Sequence, residues 1–378
     1  MCIRDRAYHY ALGQNETKKR VYLLKAARRA QRVYANTAAI DYFQRALPLL
    51  SDSERPAVLL DLGRVLELVG EWQEAKTIYE QAMDLAQSAD DPQAQAWCET
   101  SIGELLRKRG QYADATAWLA RAQTAFELVN DRAGVAQVLH YRGTLANQQG
   151  DVELAQRLYE QSLGIRQELD DRAKIASLYS NLGIVARHRG DDLEAGRLYE
   201  ESLAIRQELG DRWAIGVSLN NLGNLALGQG HYAEARARLE NALTIWRQVG
   251  DRWAIANTLT GLGDVAGEEK DYPTSHAYYS ESLGINRELD DRLALAYIFE
   301  ALSCLAAAQS DPERAIWLVS AASVLRTAIN APLPPTDALR LSDRLEPTRE
   351  QLSAEALQAA ETAGRALSLD EAIELAIG

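Results

Sequence analysis

The side chains that most often carry catalysis or bind metals are few and scattered in this sequence. No histidine has a second potential ligand at helical spacing, so no pair of imidazoles is placed to hold a metal ion. The three cysteines are too few and too far apart for a disulfide framework or a zinc site. These residues are His9, His140, His188, His231 and His276, with Cys2, Cys98 and Cys304.

Phosphate chemistry is also unsupported, because the sequence lacks the Gly-Lys-Ser/Thr segment of a phosphate-binding loop. Gly261, Gly263 and Gly267 lie inside a predicted helix, where backbone amides are not available to cradle a phosphate. We expect the many carboxylates to lie on outer helix faces. The sequence therefore predicts a protein that is not an enzyme and that needs no cofactor or metal.

The chain is organised by a segment that recurs every forty residues, best seen in residues 171–210. A glycine column marks the period, a column of small residues follows it, and an aromatic or aliphatic column follows that. The glycine column is Gly63, Gly103, Gly143, Gly183, Gly223 and Gly263, with Ser303 in the last block; the third column is Tyr79, Leu119, Tyr159, Tyr199, Leu239, Tyr279 and Val319.

Each block reads as two helices. Ile175, Leu178, Leu182 and Val185 form one apolar stripe, and Asp171 is a suitable N-cap for that helix. A second column of glycines ends the first helix of each block, where left-handed backbone is needed; it contains Gly70, Gly110, Gly150, Gly190 and Gly230. Glycine inside a helix costs about 1 kcal/mol relative to alanine, so its repeated use at the Gly183 column predicts close packing of the two helices.

Leu182-Gly183, Gly190, Ala195, Tyr199 and Ser202-Leu203 resemble the tetratricopeptide repeat, a helix-turn-helix unit of about 34 residues. The longer period resembles the repeat variant of LGN/Pins adaptor proteins and of many bacterial signalling proteins. The resemblance implies an all-α fold, an α-solenoid of stacked hairpins that forms a right-handed superhelix.

Three regions follow from this reading. Residues 1–50 form a basic N-terminal hairpin, residues 51–330 hold seven repeats, and residues 331–378 form C-terminal capping helices after the proline-rich APLPPT turn. Met1–Arg6 (MCIRDR) resembles a translated adapter remnant, so we expect these residues to be non-native and the chain to begin inside a larger protein. The C-terminal region, including Gly364 and Glu371-Ala372, resembles the end of bacterial signal-transducing (STAND-type) ATPases and LuxR-like regulators.

Charge divides the chain unevenly. Residues 1–50 hold ten Lys/Arg and three Asp/Glu, which leaves 31 basic and 51 acidic residues in the remainder. The acidic body argues against nucleic-acid binding by the chain as a whole, although the basic N-terminus leaves a local contact as an alternative. No apolar run is long enough to cross a bilayer and no signal peptide is visible, so we expect no membrane partner and a cytoplasmic location.

In the tetratricopeptide family, side chains of the first helices line a concave groove that holds a partner. Carried over by column, the resemblance assigns this role to Ser180, Asn181, Arg187, Asn220, Asn221, Asn224, Asn257, Thr260 and Asp264. An asparagine amide can both donate to and accept from one peptide unit, which suits an extended partner. The alternative is that these side chains are only solvated or serve neighbouring loops. Trp213 and Trp253 are expected to pack between repeats.

Together these observations predict a protein–protein interaction scaffold. The resemblance places it as the C-terminal sensor or regulatory region of a bacterial signalling or transcriptional ATPase, which binds a peptide, a protein or its own upstream ATPase domain. A small-ligand (inducer) sensor of such a regulator is the alternative.

Overall fold

A computed structural model describes residues 16–377, apart from the side chains of Pro335 and Thr336. The prediction that Met1–Arg6 is non-native lies outside the described residues. Within them, nineteen α-helices and a short 3₁₀ turn over Leu47–Leu49 are present and no strand occurs, so the predicted all-α class is confirmed. None of the described helices is long and apolar enough to cross a membrane.

Helices follow one another as antiparallel hairpins. The first hairpin consists of α1 (Glu16–Arg32) and α2 (Asn36–Ala46). The next seven are α3 (Arg55–Val69) with α4 (Trp72–Ser88), α5 (Pro92–Lys108) with α6 (Tyr112–Leu128), α7 (Arg132–Gln148) with α8 (Val152–Glu168), α9 (Arg172–His188) with α10 (Asp192–Leu209), α11 (Arg212–Gly228) with α12 (Tyr232–Val249), α13 (Arg252–Glu268) with α14 (Tyr272–Leu289), and α15 (Arg292–Ala308) with α16 (Pro312–Ile329). The chain continues in α17 (Pro335–Arg349), α18 (Ala354–Ala366) and α19 (Leu369–Ile377).

The predicted caps and turns are present. Asp171 is the N-cap of α9 and accepts a hydrogen bond from the Lys174 backbone N–H over 3.2 Å. The turn glycines of the Gly190 column adopt positive φ, as do Lys270 (64°) and Ser310 (63°), which replace glycine in that column. Sequence position, rather than residue type, therefore dictates the left-handed conformation at these turns.

The glycine column inside the first helices allows close contact with the aromatic column of the second helices. A Cβ at Gly183 would lie 2.5 Å from Cε1 of Tyr199, and a Cβ at Gly263 would lie 2.6 Å from Cε1 of Tyr279. Such distances are well inside van der Waals contact, so no larger residue fits without a shift. The close helix packing predicted from the glycine column is confirmed.

Contacts between Cα positions divide the chain into two units. The first consists of residues up to 107, 113–141 and 247–252, and the second of residues 108–112, 142–246 and 253 onward. In the second unit, each hairpin buries its own small and aromatic columns together with the first helix of the next repeat. Ala195, Tyr199 and Leu203 pack with Leu222 and Leu225 in this way.

The last helices complete the second unit. Ala372, Ile373 and Ala376 of α19 are buried in one cluster with residues of α14, α15 and α16. Ser368 and Glu371 form the predicted capping box: the Glu371 N–H donates to Ser368 Oγ over 3.3 Å, and the Ser368 N–H donates to the Glu371 carboxylate over 2.8 Å. The helices after the repeats thus cover apolar surface of the final hairpin.

Carboxylates are not confined to outer faces, so that expectation is wrong for several residues. Glu300 is buried and accepts from Arg326 Nη2 over 2.8 Å, and Glu104 accepts from Arg107 Nε over 2.7 Å in a buried pair. Each acid is buried because an arginine neutralises it there, which the repeat pattern does not encode.

Candidate functional site

The candidate site lies on the first helices of the second unit. We call it the polar face and define it by ten residues of α9, α11, α13 and α15. They are Arg187, His188, Asn220, Asn221, Asn224, Asn257, Thr260, Asp264, Glu268 and Tyr297. The forty-residue period repeats the same positions on successive first helices, which is why polar residues of one column come to lie side by side.

Thr258 lies at the centre of a group of hydrogen-bonding atoms that includes Asn220. Trp246 Nε1 donates to Thr258 Oγ1 over 2.9 Å, and Thr258 Oγ1 is 3.0 Å from Asn220 Oδ1. Trp246 is buried, so its indole N–H depends on Thr258 as a partner. Thr258 Oγ1 is also 2.9 Å from the Ala254 carbonyl oxygen, so its one hydroxyl proton serves two acceptors. The Asn220 NH₂ group makes no hydrogen bond to another described residue.

Three more amides on the polar face are uncommitted. The side chains of Asn221, Asn224 and Asn257 are half-buried and make no hydrogen bond to another described residue. Gly261 makes room for one of them, because a Cβ at that position would lie 3.0 Å from Asn224 Oδ1. Helices α11 and α13 therefore present a row of amide groups that can donate to and accept from a peptide backbone.

The far end of α13 is acidic. Tyr279 Oη donates to Asp264 Oδ1 over 2.6 Å, and Tyr232 Oη lies 3.4 Å from Glu268 Oε2. Burial raises the pKa of Asp264 to about 6; the Tyr279 hydrogen bond and the Arg344 charge lower it, and the Glu268 charge raises it. Two carboxylates thus lie near one another with Arg344, a residue of α17, as the nearby cation.

A basic group lies on α9. His188 Nδ1 is 3.1 Å from Asn147 Oδ1, and burial, together with the Arg187 charge, lowers the pKa of His188. The Nε atom of Arg187 is buried and has no hydrogen-bond partner among the described residues. Tyr297 of α15, whose side chain is 47% exposed, lies close enough for the Arg187 charge to act on its hydroxyl; desolvation of that hydroxyl raises its pKa.

The structure places the nine predicted site residues unevenly. Ser180 is 2% exposed and lies 2.9 Å from Ser202 Oγ, so it belongs to the interior of its hairpin. The Thr260 hydroxyl oxygen lies 2.8 Å from Ser282 Oγ, within hydrogen-bond distance. The remaining seven are half-buried: Asn181, Arg187, Asn220, Asn221, Asn224, Asn257 and Asp264.

Sequence reasoning missed His188, Glu268, Tyr297 and Arg344. Tyr297 occupies the same column as Asn257, so extending the column by one repeat would have found it. Glu268 follows Asp264 by four residues, which is one helical turn and the same face. No signal pointed to Arg344, because it lies after the period ends.

Trp253 contacts the next repeat as predicted, whereas Trp213 packs mainly within its own hairpin, in a cluster that also includes Ala254 of the next repeat. The Trp213 ring meets Trp246 edge-on with centroids 5.9 Å apart. Trp253 Nε1 donates to Asp291 Oδ2 of the next repeat over 2.7 Å. Neither indole is a ligand platform of the polar face.

Among the described residues, no three His, Cys, Asp or Glu side chains come close enough together to hold a metal ion. What the polar face offers is a series of hydrogen-bonding amides flanked by charged groups. Such a surface suits recognition of another molecule.

Successive helical hairpins with a forty-residue period define this chain as an all-α repeat solenoid. The sequence model of the tetratricopeptide repeat matches residues 54–127, 92–168, 134–208, 174–248 and 214–288, which together cover more than half of the chain. The chain therefore belongs to the tetratricopeptide repeat family. No curated protein sequence matches it.

Several solved structures share the fold at low sequence identity. The Rap conjugation gene regulator of plasmid pLS20, in complex with the Phr* peptide, aligns with a TM-score of 0.62 and 15% identity, over 73% of this chain and 75% of its own. A Rap protein complexed with competence and sporulation factor has a TM-score of 0.56 and 14% identity, over 91% of this chain and 99% of its own.

A STAND protein with a tetratricopeptide repeat sensor, from Pyrococcus horikoshii, has a TM-score of 0.52 and 15% identity over 96% of this chain. The chain covers 54% of that protein. At these identities the likeness establishes the fold alone.

Proposed function

We propose that this chain is a protein-interaction scaffold that binds an extended peptide segment of its partner along the polar face. The observation that carries this proposal is the group of uncommitted amides of Asn221, Asn224 and Asn257, beside Asn220, whose amide oxygen lies 3.0 Å from Thr258 Oγ1. The two Rap structures, each solved with a bound molecule named as a peptide or a factor, support the proposal as structures of similar fold.

The chemistry favours an extended backbone as the bound element. Each asparagine can hold one peptide unit through an N–H donor and a carbonyl acceptor. One such hydrogen bond contributes only about 0.5–1.5 kcal/mol, so useful affinity requires several in succession. Helices α11 and α13 provide that succession because their equivalent positions are brought together by the repeat.

The test begins with peptides selected for binding to the immobilised full chain. Replacing Asn220 and Asn224 with alanine should weaken binding of a selected peptide at least ten-fold, since two or more hydrogen bonds are lost. Asn241, an exposed residue on the second helix α12, is the matched control, and N241A should bind normally. Equal affinity of N220A/N224A and wild type would contradict the proposal.

The wider context proposed for the chain is the sensor region of a bacterial signalling or transcriptional ATPase. The C-terminal sequence resemblance and the STAND structure with a tetratricopeptide sensor support this placement. Recovery of the upstream genomic reading frame tests it. A strand, a Gly-rich loop ending in Lys-Ser or Lys-Thr and a helix are expected upstream; a frame without them would contradict the ATPase context.

A further inference from the structure

Helix α17 lies against the acidic end of the polar face. Arg344 Nη2 bonds to Glu268 Oε1 of α13, and the Arg344 charge also acts on the Asp264 carboxyl. The carboxylate of Asp337, at the start of the same helix, acts on the pKa of His188. One helix outside the repeats therefore reaches residues of both α9 and α13 that belong to the candidate site.

Helix α17 is held by one small apolar cluster, against which Leu341 packs, and by one ion pair. Leu345 is fully buried with Ala306 and Ala315, and Thr348 is also buried. The ion pair to Glu268 is solvent-exposed, with 58% of the Arg344 side chain accessible, and exposed pairs contribute little to stability. Leu339 is 63% exposed, so it adds little apolar contact to the packing of α17.

The neighbouring segments differ in how firmly they are attached. Pro347 lies inside α17 and removes one backbone donor from its hydrogen-bond ladder. By contrast, Gly364 of α18 packs directly on backbone of α16: a Cβ there would lie 2.5 Å from the Trp317 carbonyl oxygen. Helix α18 is therefore packed more closely on α16 at this point than the exposed ion pair holds α17 on α13.

The charges at this contact indicate what kind of side chain would replace α17. Asp264 and Glu268 together present two carboxylates, and Arg344 is the cation that α17 supplies to them. A partner that displaces α17 leaves these carboxylates without that cation, unless the partner provides its own. A partner that displaces α17 is therefore expected to carry a positive charge of its own at this position.

We propose that α17 is a built-in, displaceable occupant of the polar face, and that the partner peptide carries a lysine or arginine that takes the place of Arg344 on Glu268 and Asp264. This inference rests on the proposed function and adds two features to it: a positive charge on the partner peptide, and a state in which α17 itself blocks the polar face.

The first experiment follows hydrogen exchange in the full chain. R344A and E268Q should each raise the exchange rate of α17 amides by about five-fold, with α15 and α16 unchanged, because only the occupant is loosened. R349A is the matched control, since Arg349 pairs with Glu346 on α17 itself over 3.5 Å. Equal acceleration of α15, α16 and α17 would overturn the inference by showing that α17 is an inseparable part of the final hairpin.

The second experiment uses a fluorescent peptide of residues 335–349, PTDALRLSDRLEPTR, added to the full chain. It should bind R344A about five-fold more tightly than wild type, because loosening the tethered helix by that factor weakens its intramolecular competition to the same extent. The same peptide carrying Arg344→Glu should bind R344A at least five-fold more weakly than the wild-type peptide, because attraction to Glu268 becomes repulsion. Adding E268Q to R344A should also weaken binding of the wild-type peptide, by about five-fold, because Arg344 of the peptide then lacks its carboxylate partner.

Two other results would each overturn one part of the inference. Equal binding of the wild-type and Arg344→Glu peptides would overturn the cationic partner, and absence of peptide binding to R344A would overturn the displaceable occupant. The Asn220 and Asn224 variants test the proposed function separately. If they weaken a selected peptide while both experiments on α17 fail, the scaffold function stands and this inference does not.

Discussion

The Tyr279 hydroxyl donates a 2.6 Å hydrogen bond to the Asp264 carboxylate at the acidic end of the polar face. Burial nevertheless raises the pKa of Asp264 to about 6 from its ordinary value of 3.8. The folded protein therefore binds this proton more tightly than the unfolded chain does. The carboxylate costs stability above pH 6, and that cost disappears below about pH 4.

Replacing Asp264 with asparagine should therefore stabilise the fold in a pH-dependent manner. At pH 7.5 we expect an increase of about 1–3 kcal/mol in the free energy of unfolding, because the pKa of this carboxyl is about 6 in the folded protein and has its ordinary value of 3.8 in the unfolded chain. At pH 4 the two proteins should be equally stable. Urea titrations at both pH values measure this difference, and a gain that is the same at both would contradict the account.

Glycines inside helices should divide into two groups. G183A should destabilise the protein by about 1–3 kcal/mol, because the new methyl group meets the Tyr199 ring. G164A should stabilise it by about 0.5–1 kcal/mol, since no atom lies within 4 Å of the added Cβ and alanine favours helix. Thermal or urea unfolding of the two variants distinguishes them, and effects of the same sign would contradict the packing described.

Thr258 should prove important despite its small size. T258V preserves shape but leaves the buried Trp246 N–H without its partner, which should cost about 1–3 kcal/mol. T258S keeps the hydroxyl and is the control, with a smaller loss expected. The T258V variant should also weaken peptide binding, because the Asn220 amide loses the hydroxyl 3.0 Å from its oxygen. Normal peptide affinity in a folded T258V protein would show that this contact is unimportant.

The buried pair Glu300–Arg326 should be costly to break from one side. E300A should destabilise the final hairpin by about 3–5 kcal/mol, because it leaves the Arg326 guanidinium buried and uncompensated. The double variant E300A/R326M should recover a large part of that loss. A double-mutant cycle by urea unfolding measures the coupling, and additive losses would contradict a shared role.

Much of the fold could be predicted from the sequence because the repeats show the same residue types at the same positions. A departure in one repeat therefore does not hide the pattern. Seven glycines or serines in one column and seven tyrosines or aliphatic residues in another specify a hairpin contact without an alignment, and Gly183 against Tyr199 is one example. Helix ends were equally predictable, since an N-cap such as Asp171 and a left-handed residue such as Gly190 act through local backbone chemistry.

The site was harder to predict for two physical reasons. Whether a polar side chain faces outward depends on small rotations of its helix: Ser180 lies one position from Asn181 and is buried against Ser202. Tertiary contacts outside the period, such as Arg344 with Glu268, depend on how the chain folds back after the last repeat. The spacing of residues in the sequence does not predict these contacts.

The measurement that tests the central claim most directly is site-specific photo-cross-linking of a selected peptide to the full chain. A photoreactive residue in place of Asn257, on the polar face, should capture the peptide. The same residue in place of Asn241, on the outer face of α12, should not. Capture from position 241 and none from position 257 would contradict the account, because it would place the partner on the second helices.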